Sequence, residues 1–268
     1  MEFKYLNKKD NRGLINDLFT LRFFKEDLPF KTIIIPVGYP TLVFIFSEQQ
    51  ETVFNKQKTS LSGLTVTGQF YGAYNYTVND VSCNIGMTLH PTALYKILNI
   101  NISTLTNKHI LLEKINKQLS DLLKPTFINN KENADSYKEA IIKLINNLPL
   151  HIDTDVENID KAVDFIIKKE GLLSVSDLLK VIPLSQKSLE TKFKKIIGLT
   201  PGKYIKLIRF TLLMRKYETK QINITDLIYM FDYYDYSHFS REFKLFMSQS
   251  PKSYFKKDFP FLKKYILD

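Results

Sequence analysis

One cysteine and four histidines are the side chains with the most scope for covalent or metal chemistry in this 268-residue chain. His90, His109, His151 and His238 stand at separations that match neither one helix face nor one strand face, so they build no zinc-type ligand set. His90, directly before Pro91, is expected to play a structural part at the start of the next helix. Cys83 stands alone, which excludes an intramolecular disulfide and a multi-cysteine zinc site. No metal, no cofactor and no catalysis is expected. What remains is recognition chemistry, concentrated in Asp235-Tyr236-Ser237-His238-Phe239-Ser240-Arg241-Glu242-Phe243-Lys244. There polar side chains are interleaved with Phe239, Phe243 and Phe246, and Arg241 offers a bidentate fork to guanine or phosphate.

Such side chains are useful only if a rigid element presents them. Before them, Asn223-Ile224-Thr225-Asp226-Leu227-Ile228 starts like a helix capped by Asn223, with Asp226 in the first turn. After them come Ser250-Pro251 and Tyr254, a further helix start. Two short helices joined by a tight turn form the pattern of a helix-turn-helix. The pattern occurs twice: Leu189, Phe193, Pro201 and Tyr204 recur 50 positions later as Phe239, Phe243, Pro251 and Tyr254. Ser174-Val175-Ser176-Asp177-Leu178-Leu179 answers the Asn223 segment at an offset of 49. The one-residue difference falls in the turn between each first helix and its successor, as expected of two similar units.

Residues 157 to 258 resemble the DNA-binding domain of the AraC/XylS transcription regulators. The second-unit pattern of that family, Ser-His-Phe-(Ser or Ile)-Arg-x-Phe-Lys followed by Ser-Pro-x-x-Tyr, is matched by Ser237 to Lys244 and by Ser250, Pro251 and Tyr254. The first-unit pattern runs from Leu189 through Phe193, Lys194, Lys195, Gly198, Thr200 and Pro201 to Tyr204. Departures are Asp232 and Pro183 where the family has turn glycines, Leu179 and Ile228 for alanines, and Ser248 for a frequent glycine. Asp tolerates a left-handed backbone better than most residues, so Asp232 is expected to hold its turn.

With Leu189, Phe193, Ile196 and Ile197 inward on the first recognition helix, Gln186, Lys187, Glu190, Thr191, Lys194 and Lys195 face outward. The resemblance places Lys187, Glu190 and Thr191 at base-reading positions, able to meet guanine, cytosine N4 and a thymine methyl. In the second unit it places Tyr236, Ser237, Ser240 and Arg241 there, with Lys244 beside them. Asp235 and Ser237 are alternatively helix caps, which leaves Tyr236 and Arg241 as readers. Between the units, Tyr204, Leu207, Ile208, Phe210, Leu213 and Met214 predict a continuous connecting helix over about Gly202 to Tyr217.

Charge supports the same partner. Residues 157–268 hold 21 Lys/Arg against 13 Asp/Glu, whereas the remainder holds 17 against 15, so the net charge of +10 belongs mainly to the paired motifs. No apolar run reaches the ~18 residues of a membrane span, and Met1-Glu2-Phe3-Lys4 opens no secretory signal, so a cytoplasmic protein is expected.

Upstream, Ile33 to Ile35, Leu42 to Phe46, Thr52 to Phe54, Leu64 to Phe70 and Ser82 to Leu89 read as strands separated by Gly- and Pro-bearing turns. Leu14 to Phe24 fits a strand or an amphipathic helix. The order Ile34-x-Pro36-x-Gly38, then Gly68-Gln69, then His90 to Leu94, resembles a β-rich domain of uncertain function found on some AraC-type regulators. Tyr71, Tyr74 and Tyr76 either line a pocket or stand on an edge strand. His109 to Leu123 predicts a helix ended before Pro125, and Tyr137 to Ile145 a second. These pair two subunits or pack on their own β-domain. Leu150 to Asp155 reads as a linker, and Val156 to Lys169 as the next helix.

The expected fold is α+β: a β-rich N-terminal domain (sandwich or barrel) with helices at its end, residues 1–150, then an all-α domain of two helix-turn-helix units, residues 156–268. The expected function is a sequence-specific, bacterial-type transcription regulator with double-stranded DNA as its partner. It stays open whether the N-terminal part binds a small-molecule or protein effector, or only dimerises. A homodimer and RNA polymerase are further partners left open. A repair enzyme acting through Cys83 is the third reading, without the Pro-Cys-His context of methyl-acceptor proteins.

Overall fold

Runs of β-branched and aromatic residues make most of the first ninety residues extended, and pairing them antiparallel satisfies their backbone groups. The computed structural model describes residues 1–6, 10–219, 223–257 and 259–266. Its strands are β1 (Glu2–Tyr5), β2 (Ile15–Phe23), β3 (Phe30–Ile34), β4 (Thr41–Phe54), β5 (Gln57–Thr67), β6 (Tyr74–Val78), β7 (Ser82–Leu89) and β8 (His109–Leu111). They form one sheet in the order β1-β2-β7-β4-β5-β8, with β6 joining β3 to β4.

The long β4 organises this sheet. Thr41–Ile45 pairs with β7, while Gln50–Val53 pairs with β6, and the register shifts between Ile45 and Gln50. A bulge of this kind bends a strand and increases its twist. The sheet therefore curls, and its inner face, from Phe3 and Leu21 to Ile45 and Tyr76, surrounds a cavity of about 100 Å³. At one side Tyr76 donates to Gln50 Oε1 (2.6 Å), and Gln50 in turn bonds Ser82 and Asn84 (both 2.9 Å). This buried polar cluster is internally satisfied, which buried amides require.

The outer face is covered by helices: α1 (Ala93–Leu98), α2 (Leu112–Ile115), α3 (Lys117–Asn129) and α4 (Ala134–Asn146). Phe127 of α3 lies 6.1 Å from the Phe44 ring and 5.4 Å from Tyr137 of α4. Leu123, Phe127, Tyr137, Ile141 and Ile145 are all buried, so these helices pack on their own sheet, while Leu122 and Ile128 stay exposed.

Several expectations change here. Leu14 to Phe24 resolves as β2. Thr52–Phe54 is the far end of β4, not a separate strand. The helix expected from His109 starts as β8, paired to Thr65–Thr67 of β5. Asn116 then interrupts the helical run and caps α3, accepting from Leu119 N at 2.9 Å. Pro125 lies inside α3 instead of ending it; burial of Leu123 and Phe127 on either side outweighs the lost backbone bond.

The remaining helices are α5 (Thr154–Lys168), α6 (Val175–Leu179), α7 (Gln186–Ile197), α8 (Pro201–Glu218), α9 (Ile224–Met230), α10 (Tyr236–Met247), α11 (Pro251–Tyr254) and α12 (Pro260–Ile266). Asp153, within the expected linker, caps α5. Every apolar residue assigned to the connecting helix, from Tyr204 to Met214, is buried on α8. Part of that burial comes from the β-rich half: Tyr204 donates to the Gly38 carbonyl (3.2 Å) and Thr211 to that of Pro36 (2.9 Å). Gly38 has φ +82°, in the left-handed region that favours glycine, and a Cβ there would also meet the tip of the Ile208 side chain at 2.7 Å. No helix among the described residues is long and apolar enough to cross a membrane.

Candidate nucleic-acid interface

The duplication in the sequence is a duplication of caps. Ser174 and Asn223 cap α6 and α9, Ser185 and Asp235 cap α7 and α10, and each side chain accepts a backbone N–H three residues on. Each cap satisfies a donor that the first helical turn leaves open. At Ser174 the box is complete: Asp177 bonds back to the Ser174 backbone N–H at 3.0 Å. The bonds from Lys180 and Ser174 hold the Asp177 carboxyl well below the usual range.

The second unit has one more residue between its caps than the first, and its turn absorbs it by placing Asp232 at φ +57°. Pro183, in the first turn, is not among the positive-φ residues. The helix ends repeat as well. Gly198 closes α7 at φ +95°, and Ser248 closes α10 at φ +54°. A left-handed non-glycine residue costs on the order of 1–2 kcal/mol. Ser248→Gly is therefore expected to stabilise the protein by about 1 kcal/mol, read as a higher urea midpoint; an unchanged midpoint would show that Ser248 is not strained.

On α7, Leu189, Phe193, Ile196 and Ile197 are buried, and Gln186, Lys187, Glu190, Thr191, Lys194 and Lys195 are exposed. Three of these polar side chains are already engaged within the helix: Gln186 donates to Glu190 (3.1 Å) and Thr191 to the Lys187 carbonyl (2.9 Å). Lys195 is set apart, with its ammonium 5.4 Å over the Tyr95 ring of α1. Hydrogen bonding to Tyr95 raises its pKa.

On α10, Tyr236, Ser237, Arg241 and Lys244 are exposed and Ser240 is half-buried. Asp235 is the cap, accepting from His238 N at 2.6 Å, so Ser237 is not needed in that role. Arg241 has no hydrogen bond or ion pair among the described residues, leaving its guanidinium available. Tyr234, in the turn just before α10, is 90% exposed beside Tyr236. It was missed in the sequence because the neighbouring Tyr233 is an equally plausible surface residue and is in fact buried.

Also unread in the sequence is what holds α10. Arg209 of α8 forms an ion pair with Glu242 through one nitrogen, Nη2, which lies 3.0 Å from each carboxylate oxygen, and Tyr233 donates to Glu242 at 2.6 Å. Burial, and then the Glu242 charge, push the Tyr233 phenol well above its ordinary range, so it remains a donor. Arg209 also lies 4.8 Å over the Tyr233 ring. The first unit is positioned differently: Lys192 of α7 pairs with Asp155 of α5, and Thr106 donates to the Gly198 carbonyl at 2.7 Å. Both recognition helices thus touch the β-rich half, since Ala73 N also bonds the Phe246 carbonyl and Tyr71 packs edge-on to Phe246.

The other chemical candidates have structural surroundings. His90 Nδ1 bonds Thr92 (2.8 Å), whose hydroxyl donates to Asp160 (2.6 Å), itself paired with Lys96 at 2.7 Å. Cys83 is half-buried, and burial pushes its thiol pKa up, away from the thiolate a nucleophile needs. Among the described residues no group of three or more His, Cys, Asp or Glu could hold a metal.

A family model described as a helix-turn-helix domain matches residues 178–257. Another, described as a domain of unknown function (DUF6597), matches residues 12–111. No curated protein matches the chain. Among solved structures, a single-substitution variant of apo ToxT from Vibrio cholerae is 12% identical, covering 92% of this chain and 98% of that one, with a TM-score of 0.47. Wild-type ToxT from Vibrio cholerae bound to an unsaturated fatty acid is 14% identical over 92% and 96%, with a TM-score of 0.45. The AraC-like transcriptional activator CuxR is 11% identical over 80% and 86%, with a TM-score of 0.29.

Proposed function

We propose that the chain, whose residues 178–257 match a helix-turn-helix family model, is an AraC/XylS-type DNA-binding transcription regulator and that α7 and α10 read two successive major-groove faces of one duplex. The observation that carries this reading is the repeated, capped helix pair. In each unit the second helix buries one face and leaves a polar face exposed, and one continuous helix, α8, runs between the units. Lys187, Glu190 and Thr191 are the proposed base readers of the first unit, and Tyr236, Ser240 and Arg241 those of the second. Ser237, Gln186, Lys194 and Lys244 serve as flanking contacts, the lysines to phosphate, while Lys195, held against Tyr95, is left out of the set. Tyr234 joins them at the amino end of α10, the end that a recognition helix turns toward base edges.

Mapping the bound DNA and then measuring Arg241→Ala tests the assignment. The expected loss is about 1–3 kcal/mol on the preferred site, with relaxed preference at one base position. A uniform loss on all sequences with a shallower salt dependence would make Arg241 a phosphate contact instead. If the chain shows no salt-dependent DNA binding, the reading itself fails.

The β-rich half is proposed to carry an effector site, because its sheet encloses a cavity instead of a fully packed core. Tyr74 and Tyr76 line that cavity, which favours the pocket reading for these two over the edge-strand one; Tyr71, the third candidate, packs on Phe246 instead.

A further inference from the structure

The cavity inside the curled sheet is closed by a piece of the chain far from it in sequence. Phe261 and Tyr265, one helical turn apart on α12, line it together with residues of the strands. Their rings stack at 5.9 Å and 16°, and Phe261 meets Phe3 and Phe30 edge-on at 5.6 and 5.7 Å. Tyr5 donates to the Tyr265 carbonyl at 2.9 Å. A helix of seven residues has little stability of its own, so α12 depends on its packing: these ring contacts on one side and Leu262, fully buried in the main core, on the other.

The lining also specifies a ligand. No Lys, Arg, Asp or Glu lines the cavity among the described residues. One lining residue carries a buried polar atom with no partner: His109 Nε2, while its Nδ1 shares a hydrogen bond with Thr67 at 3.0 Å. Burial holds the His109 pKa down to about 4, so the ring is neutral near pH 7 and offers no charge to an anion. An unpaired buried ring nitrogen is an opening for one ligand hydrogen bond. The free space, about 100 Å³, is less than the ~150 Å³ that accommodates benzene in an engineered apolar cavity.

We propose that α12 is a built-in plug, and that a neutral, mostly apolar molecule of about two rings, with one hydroxyl or carbonyl directed at His109, enters by displacing Phe261 and Tyr265. This rests on the reading of the β-rich half as an effector domain. Displacement would be felt at the DNA-reading end, because Phe259, just before α12, stacks on Tyr254 at 5.0 Å and Tyr254 packs on Phe243 of α10.

The test uses the full chain and three probes of one shape: para-phenylphenol, biphenyl and para-phenylbenzoate. The chain's 15 tyrosines absorb and emit in the same range as these probes, so binding is read by equilibrium dialysis with the free probe quantified after separation. The phenol is expected to bind about tenfold more tightly than biphenyl, the difference of one hydrogen bond, and the carboxylate more weakly than either. His109→Phe should erase the advantage of the phenol, and His109→Gln should retain part of it. Phe261→Ala combined with Tyr265→Ala should tighten binding of the phenol, because nothing then has to be displaced. Bound phenol should also speed tryptic cleavage at Lys263 and Lys264, read by mass spectrometry. Tightest binding by the carboxylate, no binding by any probe, or cleavage unaffected by bound phenol would each overturn the proposal. DNA binding measured on the same preparations separates the two readings: a chain that binds DNA but no probe loses only the plug, and one that binds the phenol but not DNA loses only the DNA reading.

Discussion

Glu242→Ala is expected to destabilise the protein by about 3–5 kcal/mol, because it leaves the Arg209 guanidinium buried without a counter-charge. Glu242 is 6% exposed and carries three bonds at once, two from Arg209 and one from Tyr233. Its removal strands both donors. Against a total stability of roughly 5–15 kcal/mol, a loss of that size approaches unfolding of the second unit. Glu242→Gln should cost less, since the amide still accepts from Tyr233. The double change Arg209→Met with Glu242→Leu should recover most of the loss, because no charge is then left buried; Arg209 Nε is without a partner even in the intact pair. Urea denaturation of the three variants decides the matter. If Glu242→Ala unfolds at the wild-type midpoint, the pair is solvated in solution and does not position α10.

What could be read from the sequence was what local signals encode. The cap at Asn223, the alternative cap at Asp235 and the stripe on α8 all act within one or two helical turns, and each reappears in the structure. Asp232 was legible as a left-handed turn residue for the same reason. The features that were not legible depend on distant chain. The sequence assigns Glu242 no partner; that it faces inward is explained only by Arg209, 33 positions earlier. The run from His109 is helical in its apolar spacing, yet its first residues are captured by the edge of β5. The polar Ser47-Glu48-Gln49-Gln50 masked β4 as two strands, because a bulge breaks the alternation by which a strand is recognised. Nothing near Phe261 or Tyr265 announces that they end inside a sheet whose nearest strand finishes at Leu111. Of the candidate DNA contacts, the helical period foresaw the exposed side chains of α7, whereas those of α10 came from the family pattern, and one of them, Ser240, is half-buried. The period could not foresee that Lys195 is drawn to Tyr95.

Inserting two alanines after Thr211 should abolish sequence-specific binding while weak, nonspecific binding survives. The 18 residues of α8 span about 27 Å at ~1.5 Å per residue, and successive major-groove faces lie roughly 34 Å apart. The offset of the recognition helices from α8, or a bend in the DNA, supplies the rest. Each inserted residue turns the downstream chain by ~100°, so two swing the second unit by about 200°. The structure adds a reason for a sharp effect. Thr211 is fixed to the Pro36 carbonyl, and α10 is fixed to Ala73 and, through Arg209, to the part of α8 before the insertion. After the insertion Leu213 and Met214 no longer face the core they now fill, so the second unit can keep its contacts with Arg209 and Ala73 or its helical continuity, but not both. The first unit lies entirely before the break and should still fold. Specific binding typically exceeds nonspecific binding by ~10³–10⁷, so the expected change is a collapse of that ratio to about tenfold or less, measured as affinity for the mapped site against random DNA. A variant that kept its ratio would show two flexibly tethered modules, with α8 a leash and not a ruler.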